Sequence, residues 1–336
     1  MFDLVNYNLQ YIKYNMSSFE KTSTYSAPTS MYPVFGQPTA PSYYSTDPSH
    51  EVAVYPYGNP YAAQPTNTST TSDQSLQEIK FTQFDEMIRK YEISGRFASQ
   101  LRQLDGFKVV VICDDSGSMD STVTTPDTSD YRTLQTRFQE LKGTVSIVVE
   151  IASLVCSDGI DVYFLNRPPV LNVTNVAMLN DSFVPRPSGY TPIYKALKKV
   201  FDLNRSLLAE KKLLVVLATD GEPTDDFGNT DHQKKLIYDL LMTRHEKIFV
   251  SILACTDDDD CIEYLNEWDN KIPRLDVVDD FHSEKKKILS VQGPSFSFSR
   301  GDYVLKAVLG SSVNAIDTLD EICVTGYRKA PTCSIL

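Results

Sequence analysis

The feature that most constrains the fold is an alternation of apolar strands and amphipathic helices that begins at Phe107. The first run, FKVVVIC, is continuously apolar, which is typical of a strand that is covered on both faces of a parallel sheet. From Leu134 to Val155, apolar residues recur three and four positions apart, which predicts a long helix with one buried face. The alternation predicts an α/β fold with a doubly wound, Rossmann-like and mostly parallel sheet flanked by helices.

Seven further segments continue this pattern, alternating between strand and helix and beginning and ending with a strand. They are IDVYFL, TPIYKALKKVFDL, KLLVVLATD, HQKKLIYDLLMTRH, KIFVSILAC, CIEYLNEWDNKI and RLDVVDD. In sheets of this kind, ligands bind at the carboxyl ends of strands, near the point where the strand order switches. Polar residues that directly follow a strand are therefore the first candidates for a functional site.

Composition divides the chain into four regions. Residues 1–75 hold ten of the nineteen tyrosines and eight of the eighteen prolines without any periodicity, which predicts a disordered Tyr/Pro-rich tail. Residues 76–106 carry apolar residues at helical spacing and form a predicted helical lead-in that packs on the domain that follows. That domain is predicted to span residues 107–322, and residues 323–336 form a predicted flexible C-terminal tail.

Charge and hydropathy argue against several classes of function. The formal net charge of −12 disfavours nucleic acid as a partner, because phosphate binding needs a basic face. No apolar run reaches the roughly 18 residues of a membrane-spanning helix, so no transmembrane segment is predicted. The N-terminus lacks a basic region followed by an apolar stretch, whether translation starts at Met1 or Met16, so we expect a cytoplasmic protein.

Five oxygen-bearing side chains are predicted to meet at the carboxyl edge of the sheet. Asp114, Ser116 and Ser118 follow the first strand in a D-x-S-x-S spacing, which lets alternate side chains of an irregular loop converge. Asp220 ends the strand KLLVVLATD, and Thr191 opens a helix after the loop PRPSGYT. These residues come from three distant parts of the chain, and parallel strands bring their carboxyl ends to one edge.

Three hydroxyls and two carboxylates form an all-oxygen ligand set, which suits a hard cation rather than zinc or copper. Few carboxylates and space for retained waters favour Mg²⁺ over Ca²⁺, with Mn²⁺ as a substitute. A cation held mainly by hydroxyls stays strongly electrophilic and would attract an acidic oxygen from a partner. The neighbouring acids Asp115 and Asp120 are interpreted as loop or cap residues.

The segments DDSGSM, SGYTPI and TDGEPTDD resemble the three parts of the metal-ion-dependent adhesion site of von Willebrand factor A domains. Three separate motifs in the expected order make the resemblance specific. It implies direct metal contacts from Ser116, Ser118 and Thr191, and contacts mainly through water from Asp114 and Asp220. It also implies that the open coordination position captures a Glu or Asp of a protein partner.

The resemblance covers about residues 107–310 and is closest to intracellular A domains such as those of copines. The chain departs from copines because it has no room for paired C2 domains. Calcium-dependent membrane docking of the copine kind is therefore not implied.

The resulting expectation is a non-enzymatic protein-interaction module. An alternative is an adaptor in ubiquitin transfer or membrane trafficking that works without metal-dependent ligand capture. A Mg²⁺-dependent phosphohydrolase is a third class, because an Asp after a strand can act as a nucleophile beside Mg²⁺. That class is disfavoured, since Ser116 replaces the second acid of a DxD pair and the strand SILACTDD ends in acids rather than a lysine.

The last four residues, CSIL, fit a CaaX box and predict geranylgeranylation of Cys333. Such a lipid would place the protein at the cytosolic face of a membrane as a peripheral protein. One prenyl group gives only reversible binding, so the expected association is weak.

Overall fold

The computed structural model describes residues 82–123, 135–156, 158–256 and 259–327. The predicted tail of residues 1–75 and the segment CSIL with Cys333 lie outside these ranges. Within them, a six-stranded, mostly parallel sheet is flanked by helices. The predicted α/β class is therefore confirmed.

Strands and helices alternate along the main domain as the sequence pattern predicts. The strands are β1 (Phe107–Cys113), β2 (Ile160–Phe164), β3 (Val170–Val173), β4 (Lys212–Thr219), β5 (Ile248–Ala254) and β6 (Leu275–Val278). The helices are α1 (residues 82–90), α2 (Gly95–Ala98), α3 (Arg137–Val155), α4 (Ile193–Leu203), α5 (Gln233–Thr243), α6 (Asp259–Asp269), α7 (Phe281–Gln292), α8 (Arg300–Leu309) and α9 (Asn314–Asp317). Strand β3 and helices α7, α8 and α9 are not among the predicted elements.

The strands lie in the order β3-β2-β1-β4-β5-β6. All neighbouring pairs are parallel except β2 and β3, which pair antiparallel at one edge. The chain leaves β1 towards β2 on one side and leaves β4 towards β5 on the other. The strand order therefore reverses between β1 and β4, and their carboxyl ends border the crevice where such sheets bind ligands.

Alternate residues of the central strands point into two apolar layers, one on each face of the sheet. Val109 and Val111 pack with α3 and α8, whereas Val110 and Ile112 pack with α4 and α5. All seven residues of β1 are buried, which explains its continuous apolar sequence. Trp268 of α6 is buried in the second layer and acts as a packing residue.

The segment that precedes β1 shares the first apolar layer. Met87 of α1, Phe97 of α2 and Leu104 are buried in the same cluster as the residues of α8. The backbone N–H of Ser94 donates to Asp302 Oδ1 at 2.8 Å, which ties the start of α2 to α8. Residues 82–106 therefore complete the core of the domain.

Helix α3 is 19 residues long and begins at a capping box. The hydroxyl of Thr136 accepts from the N–H of Gln139 at 3.2 Å, and the Gln139 amide oxygen accepts from the N–H of Thr136 at 3.0 Å. Leu134, the first apolar position of the predicted helix, lies outside the described residues. Among the helices in the described ranges, none has the length and hydrophobicity needed to cross a bilayer.

Candidate metal centre

Two of the predicted site residues follow adjacent central strands. Cys113 pairs with Ala218 at the carboxyl ends of β1 and β4, and the N–H of Asp114 donates to the carbonyl of Ala218 at 2.9 Å. Asp220 is the first residue beyond β4. The pairing of β1 with β4 therefore places both carboxylates at the point where the strand order reverses.

Three of the predicted oxygen ligands meet within hydrogen-bonding distance. The hydroxyl oxygens of Ser116 and Ser118 are 3.1 Å apart, and the Ser118 hydroxyl donates to Asp220 Oδ1 at 2.7 Å. An octahedral Mg²⁺ with ligands at about 2.1 Å places neighbouring oxygens about 3 Å apart. This spacing is compatible with adjacent ligands of Mg²⁺, and it is also that of ordinary O–H···O hydrogen bonds.

Asp114 lies one layer behind the serine hydroxyls. It is buried, and its two carboxylate oxygens accept from the N–H of Ser116 at 2.8 Å and from the Thr219 hydroxyl at 2.7 Å. Burial raises the pKa of Asp114 to about 6, although these hydrogen bonds favour the charged form and limit the shift. Asp114 thus holds the Ser116 loop against the end of β4.

Asp220 is neutralised by a cation from a different element. Arg137, the first residue of α3, forms an ion pair with Asp220 Oδ2 at 2.9 Å and donates to the Thr256 hydroxyl at 2.8 Å. The Asp220 side chain has no solvent exposure, and the Arg137 side chain is 19% exposed. Both oxygens of Asp220 are therefore engaged, one by Ser118 and one by Arg137.

Thr191 is joined through its backbone to the loop that follows β4. Its backbone N–H donates to the Thr224 hydroxyl and its carbonyl accepts from the Thr224 N–H, both at 2.9 Å. Gly189 has a φ of +105°, and its carbonyl accepts from the N–H of Gly117 at 3.2 Å. Thr191 lies two residues before α4, with Pro192 at the cap, so the helix begins slightly later than predicted.

Asp115 joins the same loops through an ion pair and hydrogen bonds. Its side chain is buried, pairs with Arg167 Nε at 2.9 Å and accepts from the N–H of Asn166 at 2.8 Å. Its carbonyl accepts from the N–H of Ser188 at 2.8 Å, which joins the loop after β1 to the loop before α4. Asp120 instead pairs with the exposed Arg186 at 3.1 Å.

The donor set has the chemistry of a hard-cation site, and it depends on hydroxyl groups. In the described parts of the chain, no three His, Cys, Asp or Glu side chains are grouped to hold a metal ion. A cation at this edge would therefore take hydroxyl oxygens and waters as most of its ligands. Mg²⁺ accepts such a shell because it commonly retains several waters.

The sequence matches no protein-family model and no curated protein. Among solved structures, the chain is similar to the PilB minor pilin from Streptococcus sanguinis, with a TM-score of 0.42 and 13% sequence identity. The alignment covers 55% of this chain and 60% of the pilin. A similarity this low carries no argument about fold type or function.

Proposed function

We propose that the domain is a von Willebrand factor A-type protein-interaction module that binds an acidic residue of a partner through Mg²⁺, or Mn²⁺. The observation that carries this proposal is the meeting of Ser116, Ser118 and Asp220, two of whose oxygen–oxygen distances are 3.1 and 2.7 Å. Oxygens from two distant loops at this spacing fit adjacent ligands of a small hard cation. When bound, the cation would supply one electrophilic coordination position for a carboxylate.

The five residues divide into two roles. Ser116, Ser118 and Thr191 offer hydroxyl oxygens, and the main-chain bonds of their loops hold those loops together. Asp114 and Asp220 are hydrogen-bonded to Ser116 and Ser118 and would supply negative charge that offsets the cation. Because Arg137 already balances Asp220, the site has low net charge and would leave the cation attractive to an external acid.

The position of Asp114 favours binding over catalysis. A phosphohydrolase of the aspartyl type needs a carboxylate oxygen that can attack the substrate. Asp114 is 0% exposed, and both of its oxygens accept hydrogen bonds from Ser116 and Thr219. We therefore propose a non-enzymatic role for this site.

Calorimetric titration with Mn²⁺ tests the metal, using the wild type, Ser118→Ala and Thr191→Ala. We expect wild-type binding with a stoichiometry of one and a loss of at least about tenfold in affinity for each variant, since each removes one ligand. Ser121→Ala is the matched control, because Ser121 lies in the same loop with an exposed side chain. Absence of Mn²⁺ binding by the folded wild type would refute the proposal.

A further inference from the structure

Two exposed aromatic side chains lie beside the candidate metal centre. Phe227 is 82% exposed and Tyr190 is 52% exposed. Tyr190 immediately precedes Thr191, and Phe227 lies in the loop that follows Asp220. A phenyl group that remains in water contributes nothing to the stability of the core, but it can contribute to the binding of a partner.

Phe227 is presented by a closed turn. Asp225 Oδ1 accepts from the N–H groups of Phe227 at 2.8 Å and Asn229 at 2.9 Å, and Asp225 Oδ2 accepts from Asn229 Nδ2 at 2.8 Å. The N–H of Asp225 donates back to the carbonyl of Asn229 at 2.8 Å. The backbone that carries the phenyl group is therefore held in place, which lowers the entropic cost of using that group in a complex.

Tyr190 and Phe227, which we call the aromatic pair, lie in the two loops that also hold the predicted ligand Thr191. A Cβ on Gly228, whose φ is +87°, would come within 2.5 Å of the Tyr190 ring, so that ring lies directly on the turn. Thr224, in the same loop as Phe227, makes two hydrogen bonds to the Thr191 backbone. Tyr190 and Phe227 are therefore carried by two loops that are hydrogen-bonded to each other next to Thr191.

Part of the negative charge around this edge is offset by neighbouring cations. The chain as a whole carries a net charge of −12 and would repel acids. Here, however, three acids are each paired with a cation. The pairs are Asp120 with Arg186 at 3.1 Å, Glu222 with Lys234 at 3.0 Å and Asp226 with Lys195 at 2.7 Å.

We propose that Tyr190 and Phe227 select the partner of the metal centre. The preferred partner is a protein segment in which an aromatic or large aliphatic residue lies close in sequence to an Asp or Glu. The acid would occupy the metal, and the apolar side chain would cover the phenyl group of Phe227. This inference rests on the proposed function, because it assumes that the acid is captured.

A peptide library with a fixed central Asp or Glu and randomised flanking positions tests this inference. The full chain is used to select peptides in Mg²⁺ and in EDTA, and the bound peptides are sequenced. We expect Mg²⁺-dependent enrichment of aromatic or large aliphatic residues at the positions that flank the acid. Phe227→Ser should keep the requirement for acid and Mg²⁺, lose the apolar preference and weaken the best peptide by about tenfold.

Leu203→Ser is the matched control, because Leu203 is 61% exposed at the far end of α4. Acidic peptides enriched without an apolar preference, or an unchanged preference in Phe227→Ser, would overturn the inference and leave the proposed function standing. Failure to enrich any acidic peptide in Mg²⁺ would overturn both. A wild-type dimer that Phe227→Ser converts to a monomer would show that the aromatic pair binds a second copy of the chain instead.

Discussion

Asp220 is a carboxylate without solvent contact whose charge is balanced from another element. Its Oδ2 pairs with Arg137 at 2.9 Å, and its Oδ1 accepts from Ser118 at 2.7 Å. Removing one partner of a buried ion pair is costly, because the remaining charge stays in a medium of low dielectric constant. Arg137 therefore stabilises this edge of the sheet as well as setting the charge of the candidate site.

We expect Arg137→Gln to lower the free energy of unfolding by about 3 kcal/mol in EDTA, as for a buried pair that has lost one member. Mg²⁺ should restore part of this loss, and its stabilising effect should exceed that in the wild type, because the positive charge beside the site has been removed. Urea denaturation with and without Mg²⁺ measures both effects.

The control for this substitution is an ion pair of similar length at the surface. Lys198 contacts Asp202 at 2.7 Å, and both side chains are at least half exposed. Lys198→Gln should cost no more than about 0.5 kcal/mol. Equal losses in the two variants would contradict the assigned role of Arg137.

The sequence indicates the candidate ligands of this site more readily than the residues that support them. Ser116 and Ser118 are recognisable because they follow a strand in an alternating spacing. Arg137 and Thr219 give no comparable signal, since their roles depend on how α3 and β4 approach the site in three dimensions. The main-chain hydrogen bond that joins the loops of Gly117 and Gly189 also leaves no pattern in the sequence.

At the scale of elements, the segment that precedes β1 packs very closely against helix α8. A Cβ on Gly301 would collide with the carbonyl oxygen of Tyr91 and lie 2.7 Å from a side-chain carbon of Ile93. The hydroxyl of Ser299 also donates to the Tyr91 carbonyl at 3.2 Å. Glycine at position 301 is therefore what permits the two segments to pack.

Gly301→Ala should destabilise the domain by about 1–3 kcal/mol, because backbone must move to accommodate the methyl group. Amide hydrogen exchange should rise in residues 82–104 before it rises in β1. Gly143→Ala is the matched control: Gly143 lies exposed in α3 with nothing near its added methyl group, so it should stabilise by about 0.5–1 kcal/mol. Unchanged exchange in residues 82–104 of Gly301→Ala would refute this docking.

The sequence pattern did not predict strand β3 or helix α8, and the reason differs between the two elements. Strand β3 has four residues at the edge of the sheet, and only Val173 is buried, so it lacks a clear alternation. In α8, every residue from Gly301 to Leu309 is buried, including Asp302 and Lys306. The polar residues of this helix resemble those of an exposed segment, so the sequence does not reveal that it is buried on all sides.

For the molecule as a whole, several buried acids surround one buried lysine. Lys306 Nζ lies 3.5 Å from Glu284, 3.9 Å from Asp276 and 3.7 Å from Asp320. Burial raises the pKa of Glu284 to about 7 despite the attraction of Lys306. Burial likewise raises the pKa of Asp269 to about 6, with a further contribution from Asp317. These shifts couple the stability of the domain to pH.

A carboxyl group with a higher pKa in the folded chain than in the unfolded chain binds its proton more tightly when folded. Its favourable contribution is present below the unfolded pKa and is lost as pH rises through the folded pKa. For Glu284 this window runs from its ordinary 4.5 to about 7, which corresponds to a loss on the order of 3 kcal/mol. Asp114 and Asp269 shift in the same direction.

We therefore expect the free energy of unfolding in EDTA to fall as the pH rises from about 4.5 to about 7. Glu284→Gln should make the free energy of unfolding depend less on pH. Above about pH 7, this variant should unfold at a higher urea concentration than the wild type. Urea titrations across the range measure both effects. Stability that rises steadily over this interval would contradict the assigned protonation of the buried acids.

The loops at the carboxyl edge are joined by their main chains. The bonds from Gly117 to Gly189, from Ser188 to Asp115 and from Thr224 to Thr191 use peptide groups alone. Replacing the side chains of Ser116 and Ser118 would leave these three bonds in place, because none of them depends on a side chain. Protein engineers could therefore graft different ligands onto the same three loops and obtain sites for other ions without redesigning the sheet beneath.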